Sequence, residues 1–139
     1  MNLNYNYWYF QNAFSPEQCD RIIKMGMQEE FEIGDINRSN REKVKEEETK
    51  DLFKTRNSNI SWIDQPWIYN LLKKYIDAAN AGAGWNFQWD WTEMLQFTKY
   101  DIGQFYDWHP DQHHYVYPAD DTNENMRGKY RKLSTTLLL

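Results

Sequence analysis

Tyr100-Asp101-Ile102-Gly103-Gln104-Phe105-Tyr106-Asp107-Trp108-His109-Pro110-Asp111 is the stretch on which the reading of this chain turns. Gly103 permits a bend, and Gln104 to Asp111 reads as extended chain. Residues i and i+2 of a strand point to the same side. His109 and Asp111 would then aim an imidazole nitrogen and a carboxylate oxygen at one point. Pro110 lacks an N–H, which assigns this strand end to an edge or rim. Imidazole and carboxylate together are two of the three ligands of a 2-His-1-carboxylate facial triad, the arrangement that holds Fe(II) and keeps positions open. His-x-Asp is also a common chance pattern, so the surrounding sequence has to decide. His113 and His114 are the remaining histidines of the chain. With His109 and Asp111 they make an alternative, zinc-binding set.

Upstream of this stretch the helices are legible. Ser15-Pro16-Glu17-Gln18 carries an N-cap, a proline at the first helical position and the Gln of a capping box. Phe14 stands where a hydrophobic staple residue belongs. The helix is predicted to run through Cys19, Ile22, Ile23 and Met27. A second helix opens at Pro66, with Trp67, Ile68, Leu71, Leu72, Tyr75 and Ile76 at helical spacing, and Ala81-Gly82-Ala83-Gly84 ends it. Residues 29–54 are rich in charges of both signs and read as a mobile surface segment. The functional reading of that segment is a loop over an active site.

Strands are predicted at 5–10, within 53–63, at 94–100 and at 131–139, the last as a buried strand interrupted in mid-run. Trp85-Asn86-Phe87-Gln88-Trp89-Asp90-Trp91 alternates aromatic and polar residues with period two. We read it chiefly as a core-facing strand on the Pro66 helix. The other reading is a non-enzymatic module binding carbohydrate or protein through that face.

Composition fits a folded domain. The chain has 139 residues, and seven Trp, ten Tyr and seven Phe offset its sparse aliphatic content. The net charge of −5 argues against a dedicated nucleic-acid binder. No apolar run spans a bilayer, and Met1 to Phe10 has no signal-peptide pattern, so neither membrane nor secretion is expected. The single cysteine, Cys19, excludes intramolecular disulfides and favours a reducing compartment. A cytoplasmic protein is the expectation, with a phage gene expressed in a host cytoplasm as one source.

The Tyr100 to Asp111 stretch resembles the metal-binding strand pair of the prolyl 4-hydroxylase-like Fe(II)/2-oxoglutarate dioxygenases: a Tyr, a Gly, an aromatic pair, then His-x-Asp. Phe14 to Cys19 resembles the family's opening helix. Thr55-Arg56-Asn57-Ser58 with Trp62-Ile63 resembles its next strand, and Arg131 to Leu139 a later core strand. The resemblance thus spans nearly the whole chain. It implies an α+β, mainly β fold, a double-stranded β-helix (jelly roll) with N-terminal helices on the major sheet. It implies one domain over 1–139, lacking the C-terminal part of the barrel.

The resemblance further implies that His109 and Asp111 ligate iron and that Tyr100 contacts 2-oxoglutarate. Arg56 becomes a substrate-side candidate; Tyr106 and Trp108, which flank the ligands, read chiefly as packing residues, with substrate contact as the other reading. Fe(II), 2-oxoglutarate and O2 would be required, with ascorbate a candidate reductant. Substrates would be a peptide or protein residue, prolyl first, or a small molecule. Leu138 falls where many relatives use a Tyr for the cosubstrate. The family's second iron His and its 2-oxoglutarate-binding Arg or Lys follow the strand matched by 131–139, so the resemblance implies the N-terminal portion of a longer oxygenase.

Overall fold

A computed structural model describes residues 3–34, 55–111 and 115–139. Among the described residues the fold is α+β, with helices Pro16–Gln28 and Pro66–Gly82 and small antiparallel sheets, and no closed barrel is formed. The chain divides into two compact units. The first comprises Met1–Asp20, Gln65–Glu93 and Pro110–Leu139, and the second comprises Arg21–Asp64 and Met94–His109. Helix α1, Pro16–Gln28, crosses the division between Asp20 and Arg21.

The start of α1 follows its sequence. The Ser15 N–H donates to Gln18 Oε1 at 2.9 Å, and the Gln18 N–H donates to Ser15 Oγ at 3.3 Å, a reciprocal capping box. Ser15→Ala removes the side-chain half of it and should cost about 1 kcal/mol in a urea melt. An unchanged midpoint would mean that solvent caps the helix equally well. Phe14 is buried and stacks on Tyr75, whose hydroxyl donates to the Ala13 carbonyl. Tyr75 belongs to α2, Pro66–Gly82, which opens on its proline and buries Ile68. The end of α2 is a Schellman motif. The Trp85 N–H reaches the Asn80 carbonyl and the Gly84 N–H that of Ala81, each at 3.0 Å. Gly84 supplies the left-handed residue, φ 68°, that this geometry requires.

In the second unit, β1 (Glu32–Ile33), β3 (Asn59–Ile63) and β4 (Leu95–Lys99) form an antiparallel sheet in the order β1-β3-β4. Strand β2 (Arg56–Asn57) pairs antiparallel with β5 (Phe105–Tyr106). The two ladders join the same pair of chain segments. Asn59 faces Lys99 and Asn57 faces Phe105, so Ser58 alone is matched by 100–104. The surplus residues loop out. Gly103 takes φ 83°, and Gln104 closes the loop through its N–H to the Asp101 carbonyl at 2.9 Å. The bend expected at Gly103 is therefore present. Ile22, Ile60 and Ile63 are buried here, and Ser61, fully buried, donates to the Gly26 carbonyl at 2.8 Å.

Several predicted strands are not strands. Residues 85–91 carry no ladder, although their alternation survives as half-buried aromatics and exposed polar residues. The cause is local. The Asn80 side chain takes both polar groups of Phe87, accepting from its N–H at 2.9 Å and donating to its carbonyl at 2.8 Å. With those groups satisfied, Phe87 does not need a neighbouring strand. Asn86, at φ 53°, also breaks the extended run. Residues 5–10 form no strand either. They are tied by side chains, with Trp85 Nε1 donating to the Tyr5 carbonyl at 2.6 Å and Trp8 lying over Gly82. Residues 131–139 pair with no described segment, and Leu138 is 90% exposed rather than buried. Most of the charged segment, 35–54, and His113 and His114 lie outside the described residues.

Candidate functional site

The ladder of β5 stops at Tyr106 and gains one further bond, from the Asp107 N–H to the Thr55 carbonyl at 2.9 Å. His109 and Asp111 therefore lie beyond the strand, where the two-residue period no longer dictates which way they face. This corrects the extended reading of 107–111. The chain bends at Trp108, whose N–H turns back to the Asp107 carboxylate at 2.8 Å. The two residues also fall in different units, His109 closing the second and Asp111 lying in the first.

In the second unit His109 is held from two directions. Its ring stacks on Tyr106 with centroids 3.4 Å apart and planes 12° from parallel. Its Nδ1 lies 2.6 Å from the Asp107 carbonyl oxygen. A carbonyl can only accept, so Nδ1 carries the proton and the lone pair of the neutral ring is on Nε2. Arg56 lies over Tyr106 with its guanidinium carbon 4.4 Å from the ring centre. An imidazole and a guanidinium at those distances cannot share one face of the ring, so Tyr106 is layered between them. Arg56 is buried, and its Nε donates to the buried Ser58 hydroxyl at 2.8 Å. Three of the residues singled out from the sequence, Arg56, Tyr106 and His109, are thus in one stack. Trp108 is fully exposed outside it. Tyr100 follows β4 and is half exposed.

In the first unit Asp111 is held by the 131–139 segment. Ser134 Oγ donates to Asp111 Oδ2 at 2.5 Å, and Arg131 Nη1 donates to the Asp111 carbonyl at 2.7 Å. Arg131 in turn clasps Glu93 in a bidentate pair, Nε to Oε1 at 2.7 Å and Nη2 to Oε2 at 2.6 Å. Burial works to lower the Arg131 pKa, and the Glu93 carboxylate more than offsets it, so the group is held above its ordinary value. Burial, then the Glu93 charge, pushes the neighbouring Tyr117 phenol up. Sequence reading assigned no role to Glu93, Arg131 or Ser134. Their meeting is long-range and no local pattern signals it.

No protein-family model, curated protein or solved structure matches this chain. Among the described residues no group of three or more His, Cys, Asp or Glu is gathered as a metal cage. No described helix is long and apolar enough to cross a membrane.

Taken each within its own unit, His109 and Asp111 carry hydrogen bonds of the kind that metal-donor side chains use. Metal-binding imidazoles ordinarily donate their other N–H to a carbonyl or carboxylate, and metal-binding carboxylates are themselves hydrogen-bonded. His109 has the Asp107 carbonyl and Asp111 has the Ser134 hydroxyl in those roles.

A different surface of the first unit carries a groove of about 400 Å³, lined by Tyr69, Asn70, Lys73, Trp89, Asp90 and Trp91, among others. Trp89 gives its Nε1–H to Asp77 at 3.1 Å and carries the Lys73 ammonium 4.7 Å over its ring. Both its edge and one face are engaged by α2.

Proposed function

We propose that this protein is an Fe(II)- and 2-oxoglutarate-dependent hydroxylase of jelly-roll fold, acting on a prolyl or other peptide residue. The observation that carries the reading is the His109 tautomer. His109 Nδ1 lies 2.6 Å from the Asp107 carbonyl oxygen, which places the proton of a neutral ring on Nδ1 and the lone pair on Nε2, one of the two nitrogens through which imidazole binds metals. Neutral imidazole and carboxylate suit Fe(II), and the sequence from Tyr100 to Asp111 orders them as the oxygenases do.

The resemblance makes His109 the candidate imidazole donor and Asp111 the candidate carboxylate donor to the metal. Fe(II) with 2-oxoglutarate, when bound, supplies oxidative decarboxylation coupled to hydroxylation. The chain's own part is to orient these donors. Tyr106 fixes the plane of the imidazole by stacking, and Arg56 backs Tyr106. Tyr100 is the candidate contact for 2-oxoglutarate, and the exposed indole of Trp108 is the candidate contact for substrate. No residue of this chain is assigned as the third ligand or as the basic partner of the cosubstrate.

The test is an anaerobic titration of the native gene product with Fe(II) and 2-oxoglutarate, separately and together. The charge-transfer absorption of the chelate should grow only when both are present. Equal binding of Zn(II) with and without 2-oxoglutarate would favour the zinc reading through His113 and His114. No binding of either metal would remove both readings.

A second reading, carbohydrate or protein binding through the Trp85 to Trp91 stretch, draws on the groove beside Trp89. A ligand stacking on the Lys73-covered face of Trp89 would first have to displace that side chain.

A further inference from the structure

We infer that Ser134 and Arg131 are positioning residues for the Asp111 carboxylate, with Glu93 as the anchor of Arg131. The inference rests on the reading of Asp111 as a metal ligand. It adds residues to which that reading gives no part.

An aspartate has two sources of error as a ligand, the place of its backbone and the rotation of its side chain. Each is met here by a separate contact. Arg131 Nη1 fixes the backbone through the Asp111 carbonyl, and Ser134 Oγ fixes the rotation through Oδ2. The Ser134 bond, at 2.5 Å, is at the short end of the range for a hydroxyl on a charged carboxylate.

Arg131 can act as a fixed point because its fork is committed. Nε and Nη2 are both on Glu93, and Nη2 also lies 3.4 Å from the Tyr117 hydroxyl. A planar guanidinium with two corners pinned has no freedom left at the third. Glu93 therefore sets the place of Asp111 from a distance, through one rigid group. Ser134, three residues after Arg131, depends on the same anchor.

The experiment uses Co(II) as an air-stable probe on the native gene product, read by its visible d–d spectrum, with melting of the metal-free protein alongside. Asp111→Asn should abolish binding. Ser134→Ala should weaken Co(II) binding about 10- to 100-fold and alter the band shape, as loss of an outer partner does at metal sites. The metal-free melting temperature should not move, because Ser134 is exposed. Ser134→Thr should restore binding, and Arg131→Lys, which keeps the charge but not the fork, should weaken it. In the Asp111→Asn background, Ser134→Ala should produce no further loss.

If Asp111→Asn binds Co(II) as the parent does, the metal reading fails and this inference with it. If Asp111→Asn loses binding while Ser134→Ala keeps the parent affinity and spectrum, the metal reading stands and the positioning inference is overturned. If Ser134→Ala does not fold, Ser134→Cys, similar in size and a weak donor, carries the same comparison.

Discussion

Gly26→Val should destabilise the second unit by about 3 kcal/mol, and Gly26→Ala by about 1. A Cβ built on Gly26 falls 2.3–2.5 Å from three atoms at the base of the Phe97 ring. Those atoms cannot swing away as the end of a long side chain could. Two effects oppose each other for alanine. Helix propensity favours Ala over Gly by about 1 kcal/mol. Overpacking a settled contact costs about 1–3 kcal/mol. The contact is close enough that overpacking wins, and for the branched valine little propensity gain remains to offset it.

The Gly26 backbone is fixed from the other side as well. Its carbonyl takes the hydroxyl of Ser61, which is fully buried on β3, so the helix cannot simply lift off β4. Urea denaturation of the two variants, alone and with Phe97→Leu, measures the effect. The smaller side chain should return most of the loss. A Gly26→Ala protein more stable than the parent would show that the ring yields freely and that the contact is not a constraint.

Arg56→Ala should cost about 3 kcal/mol and loosen His109 at the same time. Arg56 is only 3% exposed. Removing it takes the donor from the buried Ser58 hydroxyl, a loss of about 1–3 kcal/mol. It also takes a desolvated cation from the face of Tyr106, worth about 2 kcal/mol. Some of this will be regained by relaxation, since the contacts are neighbours and do not add. Arg56→Lys should lose less, keeping the charge but not the Nε contact. Chemical denaturation gives the energy, and the imidazole resonances of His109 report the stack. If those resonances are unmoved in Arg56→Ala, the Tyr106 platform stands without support from below.

Local chemistry was the legible part of this chain. Ser15 and Gln18 are three residues apart and make their capping bonds as the pattern requires. Pro66 and Gly84 bracket α2 for equally local reasons. Residues 94–100 were expected as a strand, and β4 is there. The alternation of Trp85 to Trp91 correctly gave the half-buried side, but periodicity cannot say whether a backbone has found a ladder. Here the Asn80 side chain removed the need for one.

The same limit applies at His109 and Asp111. Their spacing implied convergence only on the condition that the strand persisted, and β5 stops at Tyr106. Arg56, Tyr106 and His109 were each singled out, yet their stacking order depends on β2 meeting β5, a pairing of distant segments. Glu93 and Arg131 were invisible for the same reason, being an ordinary acid and an ordinary base until the chain folds.

The bracketing of Phe87 by Asn80 also sets how this part of the first unit comes apart. A strand shares its fate with its sheet and opens when the ladder opens. Phe87 has no ladder, and both its backbone groups are lent to a side chain on the last turn of α2. The Trp85 amide is likewise spent on the Asn80 carbonyl. One asparagine thus makes the aromatic segment and the helix end a single cooperative unit, so that fraying of the helix terminus and release of the segment are one event rather than two.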